Sequence, residues 1–427
     1  MKIPTNTHSH IITTPPIMNN SSIQRGTVRD REGDPEELKS HKDTKVSAEV
    51  LCGPLCELLE QVYKDDAFAG VAVGGMNILA CMALVSAFCA DTSLQQLVSL
   101  FGTEDRDGIE KMYKKVVNDA SMATAALFHN KAYVANDVMQ AVNDVFKSKV
   151  IKFGNPAEAL QKLNDFVNHQ LELDNDIFTE EFGADLIAIL VSTSLVKVQW
   201  QYEMTSTTMP FLDNTVMAAY YKYSGDQKIP ALVTRDGLQM CLLPCKSTGQ
   251  GETKRHMLVA VQPASRDSNE DHRELVLTVL KNFQRFRQEG YSKVMAMREV
   301  NLTFPKVKMG MPAPKSLKDI LGKLGVKSIF DQADFPLKDK IQFQGDDPDK
   351  TLTTPVIGDI AHSCSVSFDE KGAVAKAVTV TKDRSLGSSL TITCDHNFVT
   401  VICKEVDGVL LPEFVCPIVD NSHLVSP

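Results

Sequence analysis

Val300-Asn-Leu-Thr-Phe-Pro-Lys-Val-Lys-Met309, then Leu317-Lys-Asp-Ile-Leu-Gly-Lys-Leu-Gly-Val326, then Phe330 and Ala333-Asp-Phe335 form the stretch on which the fold reading turns. It reads as a strand from Glu299 to Lys308 followed by a helix from Leu317 to Leu324. Downstream the chain is dominated by strands: Ser363 to Phe368, Leu390 to Thr393, Phe398 to Val406 and Leu410 to Val415. Upstream, Leu51, Leu55, Leu58, Leu59 and Val62 recur at helical spacing, and Gly53-Pro54 is expected to kink or restart that helix. Val71 to Phe88 predicts a short strand running into a buried helix, with further helices at Thr92 to Phe101 and Asp107 to Val117 and a strand from Ala126 to Val134. Pro156 to His169 is the cleanest helix, with Asn155 as its cap, Pro156 in its first turn and Leu160, Leu163, Phe166 and Val167 on one stripe. Ile187 to Trp200 is an apolar, branched strand long enough to cross a large sheet, and Val276 to Glu289 is another amphipathic helix. Helices first and strands last argue for an α+β architecture over a parallel βαβ sheet.

The chain has 427 residues, 43% hydrophobic and 23% charged, which suffices for a large core. Asp and Glu number 54 against 45 Lys and Arg, a net charge of -9 that leaves no global basic surface for nucleic acid or other polyanions. The most apolar stretch, Val71 to Ala90, is interrupted by Gly74, Gly75, Asn77 and Ser86, so no membrane span is expected. Residues 1–45 are rich in Thr, Asn, Pro and charge and read as a disordered tail ahead of one domain over 46–427. Their apolar stretches are too short for a secretory signal, so a cytoplasmic location is expected. Ten cysteines lie mostly in apolar runs, as reduced buried thiols do. Cys52/Cys56 and Cys241/Cys245 lack His partners at zinc-site separations, so neither metal nor cofactor is expected. Gly-x-Ser-x-Gly, His-Glu-x-x-His and an intact phosphate loop are all missing from the sequence, which argues against an enzyme.

The 300–335 stretch resembles the serpin family's "lPKf…L…L..LG…lF…ADf" segment. His362 through Asp369-Glu-Lys-Gly372 is similar to the family's approach to its reactive loop, and Asp395-His-Asn-Phe398 to its return strand. Asn155 to Val167 and Ile187 to Trp200 resemble its helix across the main sheet and its long central strand. The resemblance covers roughly residues 46 to 421. It implies an α+β fold of large mixed and antiparallel sheets, a helix cluster and a reactive-centre loop near residues 370–393. It also implies a monomer, a protease as partner, and an extracellular location as the alternative to the cytoplasmic one.

By resemblance, a protease cleaves the loop, which then enters the main sheet as an extra strand and carries the acylated enzyme with it. Every second residue of such a strand points into the core and must be small or uncharged. After Glu370 and the hinge Gly372, one face is Ala373, Ala375, Ala377, Thr379 and Thr381, while Lys376 falls on the other. The bland alternative is an ordinary half-exposed edge strand. Counted from Glu370 and back from Phe398 at the family's separations, the scissile bond falls at Leu386-Gly387. Leu386 implies a chymotrypsin-like or papain-like target; Arg384-Ser385 is the alternative cut and implies a trypsin-like one.

The polar network by which the family's sheet parts is represented here by His362 and by Ser192 in place of Asn, but the family's Ser-Pro…Ser segment is Val73-Gly74…Met76, with Asn77 displaced by one. The family's Gly in the last strand is Cys416, followed by Pro417. Two functions therefore stand: a suicide-substrate protease inhibitor, and a non-inhibitory serpin serving as a carrier, chaperone-like or binding protein.

Overall fold

Asn155 opens the helix that the sequence marks most clearly: its side-chain oxygen accepts the Glu158 N–H at 2.9 Å. Pro156 occupies the first turn, where no N–H is needed, and the helix runs Pro156–Leu171. In this computed structural model the described residues are 46–427, apart from 120, 181, 184–185, 203, 213–215, 225–226, 247–252, 264–270, 311–314, 332–339, 344–359, 363–364, 369–388, 421, 423 and 425–427. The helix buries Ala159, Leu163, Phe166 and Val167 against Ala125, Leu127 and Phe153, with Ile189, Val191 and Leu195 alongside. Asn164 pins the chain that returns from it, accepting the Phe178 N–H at 3.1 Å and donating to the Phe178 carbonyl at 2.8 Å.

Those partners lie on a five-stranded sheet in the order Lys308–Gly310, Ser365–Phe368, Ala188–Val198, Met122–His129, Lys149–Phe153. The central strand runs antiparallel to Met122–His129, from Phe128↔Ala188 to Met122↔Ser194. It runs parallel to Ser365–Phe368, from Ser365↔Leu195 to Phe368↔Val198. Side chains alternate across the sheet: Ala125 and Leu127 meet the long helix, while Ala126 and Phe128 join the larger core that includes Gly75–Ser86, a helix buried at every position.

The second sheet has ten strands. Val73–Gly74, Val409–Ile418, Phe398–Val406, Lys254–Val261, Gln239–Pro244, Lys228–Val233, Ala296–Pro305, Val216–Tyr223 and Thr205–Phe211 follow one another, and Leu390–Thr393 also pairs with Ala296–Pro305. Cys416 and Pro417 sit inside this sheet, Pro417 opposite Val399, so the strand tolerates its missing donor. At Pro412 the ladder shifts. Ile402 pairs with Phe414 and Cys403 with Pro412, leaving Glu413 as the extra residue of a bulge.

Four sequence expectations need correction. Pro54 does not break its helix, which runs Ala48–Tyr63 without restart, because Leu51, Leu55, Leu58, Leu59 and Val62 are all fully buried and offset one lost hydrogen bond. The strand expected over 299–308 is two strands, Ala296–Pro305 and Lys308–Gly310, one in each sheet, with the buried Lys306 and Val307 between them. The run from Ala126 to Val134 is broken by a turn at Asn130-Lys131 into Met122–His129 and Ala132–Val134. The five strands from Thr205 to Val261 were not anticipated, so helices and strands are less segregated along the chain than the pattern suggests. Among the described residues no helix is long and apolar enough to cross a membrane.

Candidate functional site

The site is the joint between Ser365–Phe368 and the central strand. Over Leu195 to Val198 the two are directly hydrogen-bonded neighbours, so no strand lies between them there. The bait-loop residues inferred from the sequence, Glu370, Gly372, Ala373, Ala375, Ala377, Thr379, Arg384, Ser385, Leu386 and Gly387, lie outside the described residues. The chain is described again from Ser389, whose Oγ accepts from the Asn301 amide at 3.2 Å. Leu390–Thr393 then lies parallel to the Ala296–Pro305 strand, from Val300↔Leu390 to Thr303↔Thr393, and the Cys394 N–H closes the register on the Thr303 carbonyl at 2.8 Å. This holds the C-terminal end of the loop region to the second sheet.

Under the joint the structure places both network residues found in the sequence. His362 is buried, and its Nε2 accepts the Gly74 N–H at 3.1 Å. The neutral ring therefore carries its proton on Nδ1, and burial pushes its pKa down from 6.5 to about 4. A proline at position 74, as in the family's segment, would have no N–H to give; here glycine supplies it, and a Cβ would come within 2.9 Å of the Phe414 ring. Ser192 is bound from the helix Gly75–Ser86. Its Oγ donates to Asn77 Oδ1 at 2.5 Å, and Asn77 Nδ2 donates to the Ser192 carbonyl at 3.1 Å.

In the sequence the network departs from the family's pattern at Val73-Gly74…Met76 and at the displaced Asn77. The structure instead shows the Asn and Ser roles exchanged between helix and strand, with both hydrogen bonds made. An Asn one residue late on the helix, opposite a Ser where the strand usually has Asn, was the available signal. Val73 and Met76, at the family's two serine positions, are buried among apolar side chains.

Just past the joint, at the C-terminal end of the central strand, Trp200 is buried, with Tyr221 and Phe304 edge-on at ring-centroid distances of 6.1 and 5.9 Å. The chain is tied to the second sheet here: Trp200 bridges to Cys245, and the Lys246 N–H donates to the Gln199 carbonyl at 2.8 Å. The described cysteines are free thiols, all buried except the half-buried Cys245. Burial pushes Cys81 and Cys241 up to about 12, so these thiols pack as small apolar groups.

The Serpin (serine protease inhibitor) family matches residues 56–415, and the chain belongs to it. The family is one of protease inhibitors rather than enzymes. The chain is 21% identical over 263 residues to the plasma serine protease inhibitor of Mus musculus, a match covering 60% of this chain and 58% of that protein. It is 23% identical over 340 residues to serine protease inhibitor 88Ea of Drosophila melanogaster, covering 71% and 72%. A thermophilic serpin, tengpin, solved in its native state, superimposes with a TM-score of 0.67 at 15% identity, covering 87% of this chain and 94% of the other.

Proposed function

We propose that the chain is a suicide-substrate inhibitor of an endopeptidase with an apolar primary pocket, its bait bond being Leu386-Gly387 and its cleaved loop entering the five-stranded sheet. The observation that carries this reading is the short parallel joint between Ser365–Phe368 and Leu195 to Val198. A strand entering there would take over on both sides the backbone donors and acceptors that the two strands now give each other, and the small residues Ala373, Ala375, Ala377 and Thr379 give it the alternation a core-facing strand needs. About a dozen residues entering the sheet, each adding a ladder bond worth ~0.5 to 1.5 kcal/mol net, supply on the order of 10 kcal/mol. The native state is then a kinetic trap.

Incubation with a chymotrypsin-like serine protease should give a complex that survives SDS. Ala375→Arg should abolish the complex and leave a cleaved chain with active protease, because the guanidinium would be buried without a partner; Lys376→Arg should behave as wild type. A second reading, a non-inhibitory serpin with a binding or carrier role, draws on the apolar Val73 and Met76 beneath the joint. Cleavage of the wild-type chain with no SDS-stable complex and full recovery of protease activity would select it.

A further inference from the structure

Away from the joint, four charged side chains close on one another between the two sheets. Asp119, in the turn before Met122–His129, pairs with Arg255 of Lys254–Val261 and, at 3.3 Å, with Lys404 of Phe398–Val406. Arg255 also holds Glu413, from Nε at 2.8 Å and Nη2 at 3.0 Å. Side-chain exposures are 7% for Asp119, 13% for Arg255, 4% for Lys404 and 1% for Glu413, so two cations and two anions form a neutral cluster shielded from water. Glu413 is the extra residue of the bulge at Pro412, a distortion that turns its carboxylate to this place. Burial by itself would raise the Asp119 carboxyl; Arg255, then Lys404 and the Ser121 donors, bring it below the usual carboxylate range.

The cluster is wired to the joint. Asp119 Oδ1 accepts from the Ser121 N–H at 2.8 Å and from its hydroxyl at 2.5 Å, and the Ser121 carbonyl accepts the N–H of Leu195 at 2.9 Å. Leu195 is the first central-strand residue paired with Ser365–Phe368.

We infer that Asp119, Arg255, Lys404 and Glu413 are an ionic latch that sets how fast the sheet opens to admit a strand, an inference that rests on the insertion reading above. Making room means moving the strands on one side of the joint away from those on the other. Met122–His129, Ala188–Val198 and Lys149–Phe153 lie on one side of the joint, and Ser365–Phe368 and Lys308–Gly310 on the other. The second group is fastened to the ten-stranded sheet, because only Lys306 and Val307 separate Lys308–Gly310 from Ala296–Pro305. Admitting a strand widens the joint by about 4.8 Å; the first group is tied to that sheet by backbone hydrogen bonds around Gln199 and Trp200 rather than by a two-residue link, so it is the group taken to shift. Asp119 travels with the first group, whereas Arg255, Lys404 and Glu413 belong to the ten-stranded sheet. A shift of that size exceeds hydrogen-bond reach and, before any new partner is found, leaves buried charges unpaired. Such a cluster adds little to stability compared with a packed apolar one, yet it strongly resists partial separation.

The test follows uptake by the full chain of a labelled synthetic peptide with the sequence of residues 372–385, read on native gels. Asp119→Asn and Arg255→Lys are compared with wild type and with Leu258→Ala, a core truncation in the ten-stranded sheet that lowers stability without touching the latch. The expected result is uptake about tenfold or more faster in the latch variants than in Leu258→Ala at matched loss of melting temperature, equivalent to about 1.4 kcal/mol in the barrier. If Asp119→Asn does not fold, Lys404→Gln carries the same comparison. Equal rates in the latch variants and Leu258→Ala overturn the latch while leaving insertion intact. Peptide uptake by none of the proteins overturns the insertion reading, and the latch with it.

Discussion

Phe398–Val406 in the ten-stranded sheet is paired to Lys254–Val261 over Phe398 to Glu405 on one side and to Val409–Ile418 over Phe398 to Val406 on the other. Among the described residues, Ala188–Val198 in the five-stranded sheet pairs with Met122–His129 over Ala188 to Ser194 and with Ser365–Phe368 over Leu195 to Val198. Both strands are apolar, branched and central. They differ in how much backbone must be unpaired before the sheet can part. Four register pairs at about 1 kcal/mol each are a barrier of a few kcal/mol that a new strand can repay. The two ladders that flank Phe398–Val406, of eight and nine register pairs, offer no such place. On the insertion reading, the strand Phe398–Val406 belongs to the part of the molecule that stays together and Ala188–Val198 to the part that opens.

The largest expected effect tests that division directly. Cutting the wild-type chain at Leu386-Gly387 should raise its melting temperature by about 20 °C or more, since on the order of 10 kcal/mol of new strand pairing accompanies insertion. Calorimetry of cut and intact protein reads it; an unchanged melting temperature would mean that the loop does not insert.

Leu258→Ala comes next. Leu258 is fully buried and flanked on its two sides by Leu242 and Val401. The cavity should cost about 2–5 kcal/mol in denaturant unfolding and leave the proportion of SDS-stable complex unchanged. A fall in that proportion would show that the two sheets are not separable in this way.

Acid should loosen the contact between His362 and Gly74, at the edge of the ten-stranded sheet. His362 has a folded pKa of about 4 against 6.5 unfolded, so its contribution is complete above pH 6.5 and is lost as the pH falls from 6.5 toward 4, by at most about 3 kcal/mol. Protonation places a hydrogen on Nε2 and ends its acceptance of the Gly74 N–H. Stability measured across that window should fall in wild type and flatten in His362→Gln; equal slopes would remove His362 as the cause.

The smallest effect is at the surface. Lys115 and Asp407 pair at 3.0 Å but are 50% and 60% exposed, and Lys115→Ala should change stability by less than about 1 kcal/mol. A larger loss by urea titration would mean that the turn at Asp407 bears more on the ten-stranded sheet than its exposure indicates.

Much of this molecule is written in short-range pattern. The Asn155 cap, the stripe of the helix it opens, the long central strand and the small-residue alternation from Ala373 to Thr379 are all readable because each depends on neighbours a few positions apart. The five strands between Thr205 and Val261 escaped that reading. Several carry polar residues or proline, as in Thr205–Phe211 and Lys228–Val233, and owe their conformation to partners elsewhere in the sheet.

The sequence by itself determined the family and the α+β class, and it offered a position for a bait segment as an expectation, since motif order and alternation survive without knowledge of contacts. Tertiary structure alone decided how the joint is held. Asn77 meets Ser192 across 115 positions and Gly74 meets His362 across 288, and the carboxylate of Glu413 reaches Arg255 only because a strand bulges at Pro412. Contacts of that span arise from the packing of whole sheets, and no local pattern in the chain encodes which partner a buried polar group will find.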